Sequence, residues 1–242
     1  MDEKENQGVK VPIHDSLRIY VWPGYLDPSV VTDFEREFGI HLDISNFDSN
    51  DQLRVSIEGG ESSDTQNSTN RYDLIMPSAY LARHFIEQNL LFPLDRDQIP
   101  NLKYLDRNFM RPDYDPELVY TVPYFWGSLG IAYQSDQLEI PFDWSDLFAP
   151  PDLRAPLDLD RKNRITIVDE SRSALGSALI YLKCSPNSTN RNEIEAAGEV
   201  LERLRPFIYK FDGNFVHEDL ANRKVLMALA WSGEAQLAQS TN

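Results

Sequence analysis

LRIYVWPGYLDPSVVTDFEREFGIHLDISNF, residues 17–47, decides the fold class, because two different periods follow one another in it. Leu17, Ile19 and Val21 alternate with Arg18, Tyr20 and Trp22, the two-residue repeat of a strand. Asp27-Pro28 then reads as an N-cap and a first helical residue. Val30, Phe34 and Phe38 recur at helical spacing, and Gly39 supplies the stop. Residues 40–47 alternate again. Strand, helix and strand in this order form the βαβ unit of a parallel sheet. The stretch also raises a question: Tyr20, Trp22 and Tyr25 crowd the place where the first strand ends. For any one aromatic, filling a core is the ordinary role.

The same rhythm extends along the chain. Residues 1–16 read as a disordered polar N-terminal segment. Residues 59–70 are a Gly/Ser/Asn-rich loop. YDLIMPS (72–78) is a short buried strand, followed by a helix over 79–89, and residues 93–120 are irregular. YTVPYFWGSLGIAYQ (120–134), with Pro123 and Gly127, is extended and suits a crossover between lobes. Beyond it come a short helix at 144–148, a strand at 164–169 and helices at 173–183 and 191–205. Asn190 and Glu193 form a capping box for the last of these. VLMALAW (225–231) is a strand that leads into a final helix. The expected organisation is α/β in two lobes, 17–122 and 135–242, with 123–134 as the hinge or crossover. NSTN occurs at both 67–70 and 187–190, a coincidence of two polar loops.

Composition narrows the function. Among 242 residues, 39 acidic side chains face 23 basic ones, a net charge of −16. Such a balance argues against nucleic acid and anionic membrane surfaces; it is most commonly a solubility device, and it would also steer a cationic ligand inward. No apolar run is long enough to span a bilayer. The start MDEKENQGVKVP lacks the apolar core of an export signal, so none is expected. Cys184, the single cysteine, is expected to be a buried structural thiol.

His14, His41, His84 and His217 are scattered without metal-ligand spacing. No P-loop, GxGxxG or GxSxG occurs, and WSGEA (231–235) lacks the glycine before its serine. Asp169 and Glu170, adjacent at a strand end, point apart. No enzyme, cofactor or metal is expected. What remains is a set of groups at strand ends, where open α/β sheets hold their ligands. Trp22 and Tyr25 follow the first strand, and Ser78 and Tyr80 the third. Glu170, Arg172 and Ser173 follow the strand at 164–169, and Trp231 ends the strand at 225–231. As a set they favour a binding cleft.

YVWPGYLDP, FDSND (47–51), YDLIMPSAY, VPYFWG (122–127), WSDLF, EIEAA and ALAWSGEA run in order over residues 17–240. Together they resemble the spermidine/putrescine (polyamine)-binding subunits of ABC transporters. The resemblance implies a type II periplasmic-binding-protein fold whose two lobes close on a polyamine or other small cation. It implies that Trp22, Tyr25, Ser78 and Tyr80 line the first lobe, that Trp126 lies at the crossover, and that Glu170 and Trp231 come from the second lobe. It also implies a periplasmic location, an ABC permease as partner and no membrane contact except through that permease. Aromatic faces suit a methylene chain carrying ammonium groups, and carboxylates must neutralise the buried amines.

Two positions depart from the family pattern. Gly24 and Ser173 stand where acids are common, which implies altered selectivity. Relative to the family the chain is expected to lack C-terminal return segments and so to expose apolar surface. Asp48 and Asp51 are open to two readings, ligand contacts or a solvated loop, and Arg172 is read as a structural ion-pair partner. Another cationic or neutral solute, or a non-binding remnant, are the competing readings.

Overall fold

The computed structural model describes residues 15–59, 72–138, 143–149 and 164–241, and it falls into two compact units that part between Val122 and Pro123. His14, residues 1–14 of the N-terminal segment and residues 60–70 of the polar loop, including the first NSTN, lie outside the described residues.

In unit 1, β1 (Ser16–Val21) is the middle strand, parallel to β2 (His41–Asn46) on one side and β3 (Leu74–Ile75) on the other. Ser16 therefore belongs to the sheet, paired with His41, and not to a disordered segment. The alternation in β1 does not separate core from solvent, because Ile19, Tyr20 and Val21 are all buried. A central strand of a parallel sheet is covered on both faces. β3 is only two residues long and Leu74 is exposed, so the expected buried strand is a short edge.

α1 (Pro28–Phe38) starts and stops as its sequence signals. Asp27 accepts the Ser29 N–H at 2.8 Å, Pro28 opens the first turn, and Gly39 closes the helix at φ 67°. That left-handed φ favours glycine. The apolar stripe does not meet a core, however: no residue of α1 is buried, and Val30 and Phe38 are exposed. Caps and period are enough to form a helix, but burial needs an apolar surface set against it. Only Phe34 of this stripe is half-buried; its two ends stay exposed.

α2 (Asn50–Glu58) takes in Asp51, so the loop reading fails there, while Asp48 stays in the bend that precedes the helix. Ser49 accepts the Gln52 N–H at 3.1 Å, while Gln52 Oε1 accepts the Asp48 N–H at 2.8 Å. Asp51 sits in the first turn with Arg54 3.8 Å away. With α3 (Ala79–Glu87) these elements enclose a core of Tyr20, Phe47, Leu53, Leu81 and Phe85. Residues 93–114 contain short 3-10 turns at Arg96–Gln98, Pro100–Tyr104 and Arg107–Phe109.

Unit 2 is built on β4 (Leu129–Tyr133), β5 (Ile165–Ile167), β6 (Ile208–Phe211) and β7 (Met227–Trp231), in the order β4-β7-β5-β6. β5 is parallel to both β6 and β7, and β4 runs antiparallel to β7. Among the described residues its α-helices are α4 (Ser145–Phe148), α5 (Ser171–Tyr181), α6 (Arg191–Leu204), α7 (Val216–Ala221) and α8 (Ser232–Thr241). Leu147, Ile167, Val200, Leu204 and Leu229 are fully or almost fully buried and centre the core.

Asn190 caps α6 by accepting the Asn192 N–H at 3.0 Å, but the reciprocal half of the box is relayed. The Asn190 N–H donates to Ser188 Oγ, which in turn donates to Glu193. Cys184 is half-buried, with its Sγ 3.7 Å from the Leu182 carbonyl.

β6 and α7 are pinned by charge. Lys210 lies 2.7 Å from Asp212 and 2.6 Å from the buried Asp219, which Lys224 also reaches at 3.2 Å. Burial alone would lower the Lys210 pKa, but the two carboxylates outweigh it and raise it above the ordinary lysine value.

Candidate functional site

The C-terminal ends of the unit 1 strands form one rim. β1 runs into a tight turn in which the Tyr25 N–H reaches the Trp22 carbonyl at 3.3 Å. The turn sets the Trp22 and Tyr25 rings 6.5 Å apart, and Gly24 occupies its left-handed position at φ 73°. Trp22 rests edge-on against Phe47 at 4.5 Å, so one side of the indole is anchored in the core, while Tyr25 is exposed.

Tyr20 has a different task. It is buried, stacked on Tyr72 at 4.3 Å with ring planes 7° apart, and belongs to the core. The crowd of aromatics at the end of the strand thus divides into one core residue and two at the rim.

Ser78, at the N-cap of α3, makes no side-chain cap bond. Its hydroxyl instead accepts Asn50 Nδ2 at 3.0 Å, and its N–H donates to Asn50 Oδ1 at 3.4 Å. Asn50 is buried, and sequence reasoning passed over it, although SNDQ (49–52) carries the S-x-x-Q capping signature that starts its helix. Tyr80 is half-buried against the same core cluster as Trp22. Trp22, Tyr25, Ser78 and Tyr80 are therefore all positioned from the ends of β1 and β3.

In unit 2 the strand ends form a rim of their own. Ile167 on β5 is level with Leu229 on the adjacent parallel β7, so the chain just beyond β5, with Glu170, lies beside Trp231 at the end of β7. Glu170 takes the N-cap position of α5 without bonding the helix amides; its Oε2 accepts the Ser173 hydroxyl. A carboxylate at this end of a helix is favoured by the helix dipole. Arg172 bonds Asn187 at 2.8 Å, a structural link to the 187 loop.

β4 is antiparallel, so its beginning reaches this rim as well. The Ser232 N–H donates to the Ser128 carbonyl at 2.8 Å, and a Cβ on Gly127 would stand 4.0 Å from the Trp231 ring. Trp126, the preceding residue, is 77% exposed. Glu170, Trp231 and the Trp126–Gly127 segment are thus brought together.

Sequence reasoning missed two groups here. Glu234, in the first turn of α8 three residues after Trp231, accepts the His217 N–H at 3.2 Å and lies 2.7 Å from its Nδ1. Asp212 and Phe215 follow β6, a strand that Pro206 and Lys210 disguised. His41 pairs with Glu35 and His84 with Glu58, and among the described residues no histidine, cysteine or carboxylate cluster could hold a metal ion. Among them, too, no helix is long and apolar enough to cross a membrane.

Known proteins resemble this chain in sequence and in fold. Bacterial extracellular solute-binding proteins match residues 29–242. The putrescine-binding periplasmic protein SpuD of Pseudomonas aeruginosa is 29% identical over 93% of this chain and 60% of its own length. The spermidine/putrescine-binding periplasmic protein of Salmonella typhimurium is 28% identical, with 93% and 61% covered. The chain therefore spans about 60% of the length of these curated relatives. Among solved structures, a chain from Listeria monocytogenes, provisionally described as a spermidine/putrescine ABC transporter, superposes with a TM-score of 0.82 at 35% identity, covering 95% of this chain and 66% of that one. The substrate-binding protein PotD of Streptococcus pneumoniae gives 0.69 at 31% identity, with 94% and 65% covered. The fold is that of the type II periplasmic binding proteins. With sequence match and fold in agreement over nearly all of its length, the chain belongs to the family of bacterial extracellular solute-binding proteins.

Proposed function

We propose that this chain is the ligand-capturing part of a polyamine uptake receptor, a binding protein and not an enzyme. It works outside the cytoplasmic membrane and delivers putrescine or spermidine to an ABC permease. One observation carries the reading: each unit ends its parallel strands in an aromatic rim, and in unit 2 the carboxylate of Glu170, at the N-cap of the helix that follows β5, emerges at the same rim as Trp231, the last residue of the neighbouring β7. Similarity to relatives named for putrescine and spermidine supports it.

The chemistry is that of an alkylammonium ligand. In unit 2 the aromatic faces of Trp126 and Trp231 suit methylenes and the carboxylate of Glu170 suits an ammonium; in unit 1 Trp22 and Tyr25 offer aromatic faces of the same kind. Each cation–π contact contributes about 0.5–2 kcal/mol, depending on desolvation. Ser78 and Tyr80 supply polar contacts from unit 1. The net charge of −16 attracts such a ligand over distance.

Ser173 gives substance to a second reading, a ligand with fewer charges. It adds a neutral hydroxyl to Glu170 where another carboxylate would add charge. Titration calorimetry with putrescine and spermidine tests the proposal. Trp22→Ala weakens binding about tenfold if stacking is real, and an unchanged affinity counts against a ligand role for that rim.

A further inference from the structure

We propose that Ser173 is a positioning residue for the ligand's ammonium group: its hydroxyl holds the Glu170 carboxylate in one orientation before the ligand arrives. The inference rests on the receptor reading and deepens it, by saying how the acid of the unit 2 rim is kept ready. Glu170 needs such help because of where it sits. It takes the N-cap position of α5, yet its side chain accepts none of the helix amides, the bonds that fix a shorter aspartate or asparagine at such a place. A glutamate is a long, rotamer-rich side chain, and immobilising one at the moment of binding weakens the complex. The Ser173 hydroxyl does the immobilising in the unliganded protein, by donating to Glu170 Oε2. The two residues are three positions apart at a helix start, the spacing that brings N-cap and N3 side chains together.

The hydroxyl is itself carried on an anchored element. The Ala174 N–H donates to the Glu170 carbonyl at 2.9 Å, which closes the first turn of α5 over the pair. Behind that turn Ala174, Gly176, Ser177, Ala178 and Leu179 are buried. The buried Ser177 hydroxyl donates to the Ser173 carbonyl at 2.5 Å, so the backbone of Ser173 is tied to the next turn as well. On the outer side, Arg172 bonds Asn187 at 2.8 Å, and a Cβ on Gly176 would stand 3.6 Å from the Pro186 carbonyl, so the 186–187 loop lies close against the helix start. A serine serving only the helix would spend its hydroxyl on the backbone of that helix. Ser173 directs it to a side-chain carboxylate at the rim, and both residues are half-buried, where a fixed orientation is kept.

The test is calorimetric titration of the 242-residue chain with putrescine, comparing wild type with Ser173→Ala, Ser173→Thr and Glu170→Gln. Circular dichroism melts confirm that each variant is folded. Having to order one long side chain on binding weakens affinity about 2- to 12-fold, the loss expected in Ser173→Ala. Ser173→Thr restores the hydroxyl and recovers that loss, a rescue that a purely structural role of the serine would not produce. If Glu170→Gln binds more weakly while Ser173→Ala binds like wild type, the inference fails and the receptor reading stands. Ser173→Thr as weak as Ser173→Ala overturns it in the same way. If folded wild type does not bind, both fall.

Discussion

Asp115 is the hub of the segment that leads into the exposed aromatics before β4, and removing its charge should loosen that segment selectively. The carboxylate is 5% exposed and accepts four bonds, each 2.9 Å long. Oδ1 takes the Val119 N–H, and Oδ2 takes the N–H groups of Tyr120 and Thr121 and the Thr121 hydroxyl. Burial alone would raise the pKa of this carboxyl, but the donors outweigh it and hold it below the usual aspartate value. Asp115→Asn keeps the shape, removes the charge and turns an amide donor toward at least one of these donors. A bond to a charged group contributes about 1.5–3 kcal/mol, so losing one and weakening the rest costs about 3 kcal/mol locally.

Hydrogen exchange at the Val119, Tyr120 and Thr121 amides reads this directly, with protection falling about 100-fold at near-neutral pH. Acid gives an internal control. Because the native pKa is depressed, the carboxylate's contribution is complete above the unfolded value of 3.8 and is lost as pH falls through the native value. The difference between wild type and Asp115→Asn should therefore shrink in strong acid. Equal exchange of the three amides in both proteins near neutrality would refute the hub.

Two further substitutions probe the two cores. Phe85→Ala empties a fully buried position in unit 1 and should cost about 3–5 kcal/mol in urea unfolding; a loss under about 1 kcal/mol would mean the core collapses around the gap. Asp219→Ala deprives Lys210 and Lys224 of their shared buried partner. Lys210 is one-third exposed, so the expected loss is about 2 kcal/mol, below that for a fully buried pair, and is checked by thermal unfolding.

What the sequence revealed followed from where local signals decide structure. The βαβ opening was legible because Asp27, Pro28 and Gly39 punctuate α1 whatever the helix packs against. Which face of α1 would be buried was not legible, since Val30, Phe34 and Phe38 state a period and not a partner. Tyr20 and Trp22 show the same limit. They share the same side of the strand pattern, yet Tyr20 is buried on Tyr72 and Trp22 stands at the rim.

α2 was hidden by its polar start, although Ser49 and Gln52 carried a capping signal. β6 was hidden because Lys210 occupies it, tolerable only through Asp212 and Asp219, which are remote in pattern if not in sequence. The rim residues Trp231 and Glu170 were found from strand ends alone. Glu234 needed the contact with His217, which no sequence pattern announces.

The central claim is that aromatic and acidic groups at these strand ends hold an alkylammonium ligand, and calorimetric titration of the folded chain with putrescine and spermidine tests it most directly. The account predicts saturable heat that Glu170→Gln and Trp231→Ala each diminish. No heat at about millimolar ligand, the weakest affinity that would still count as recognition, would contradict it.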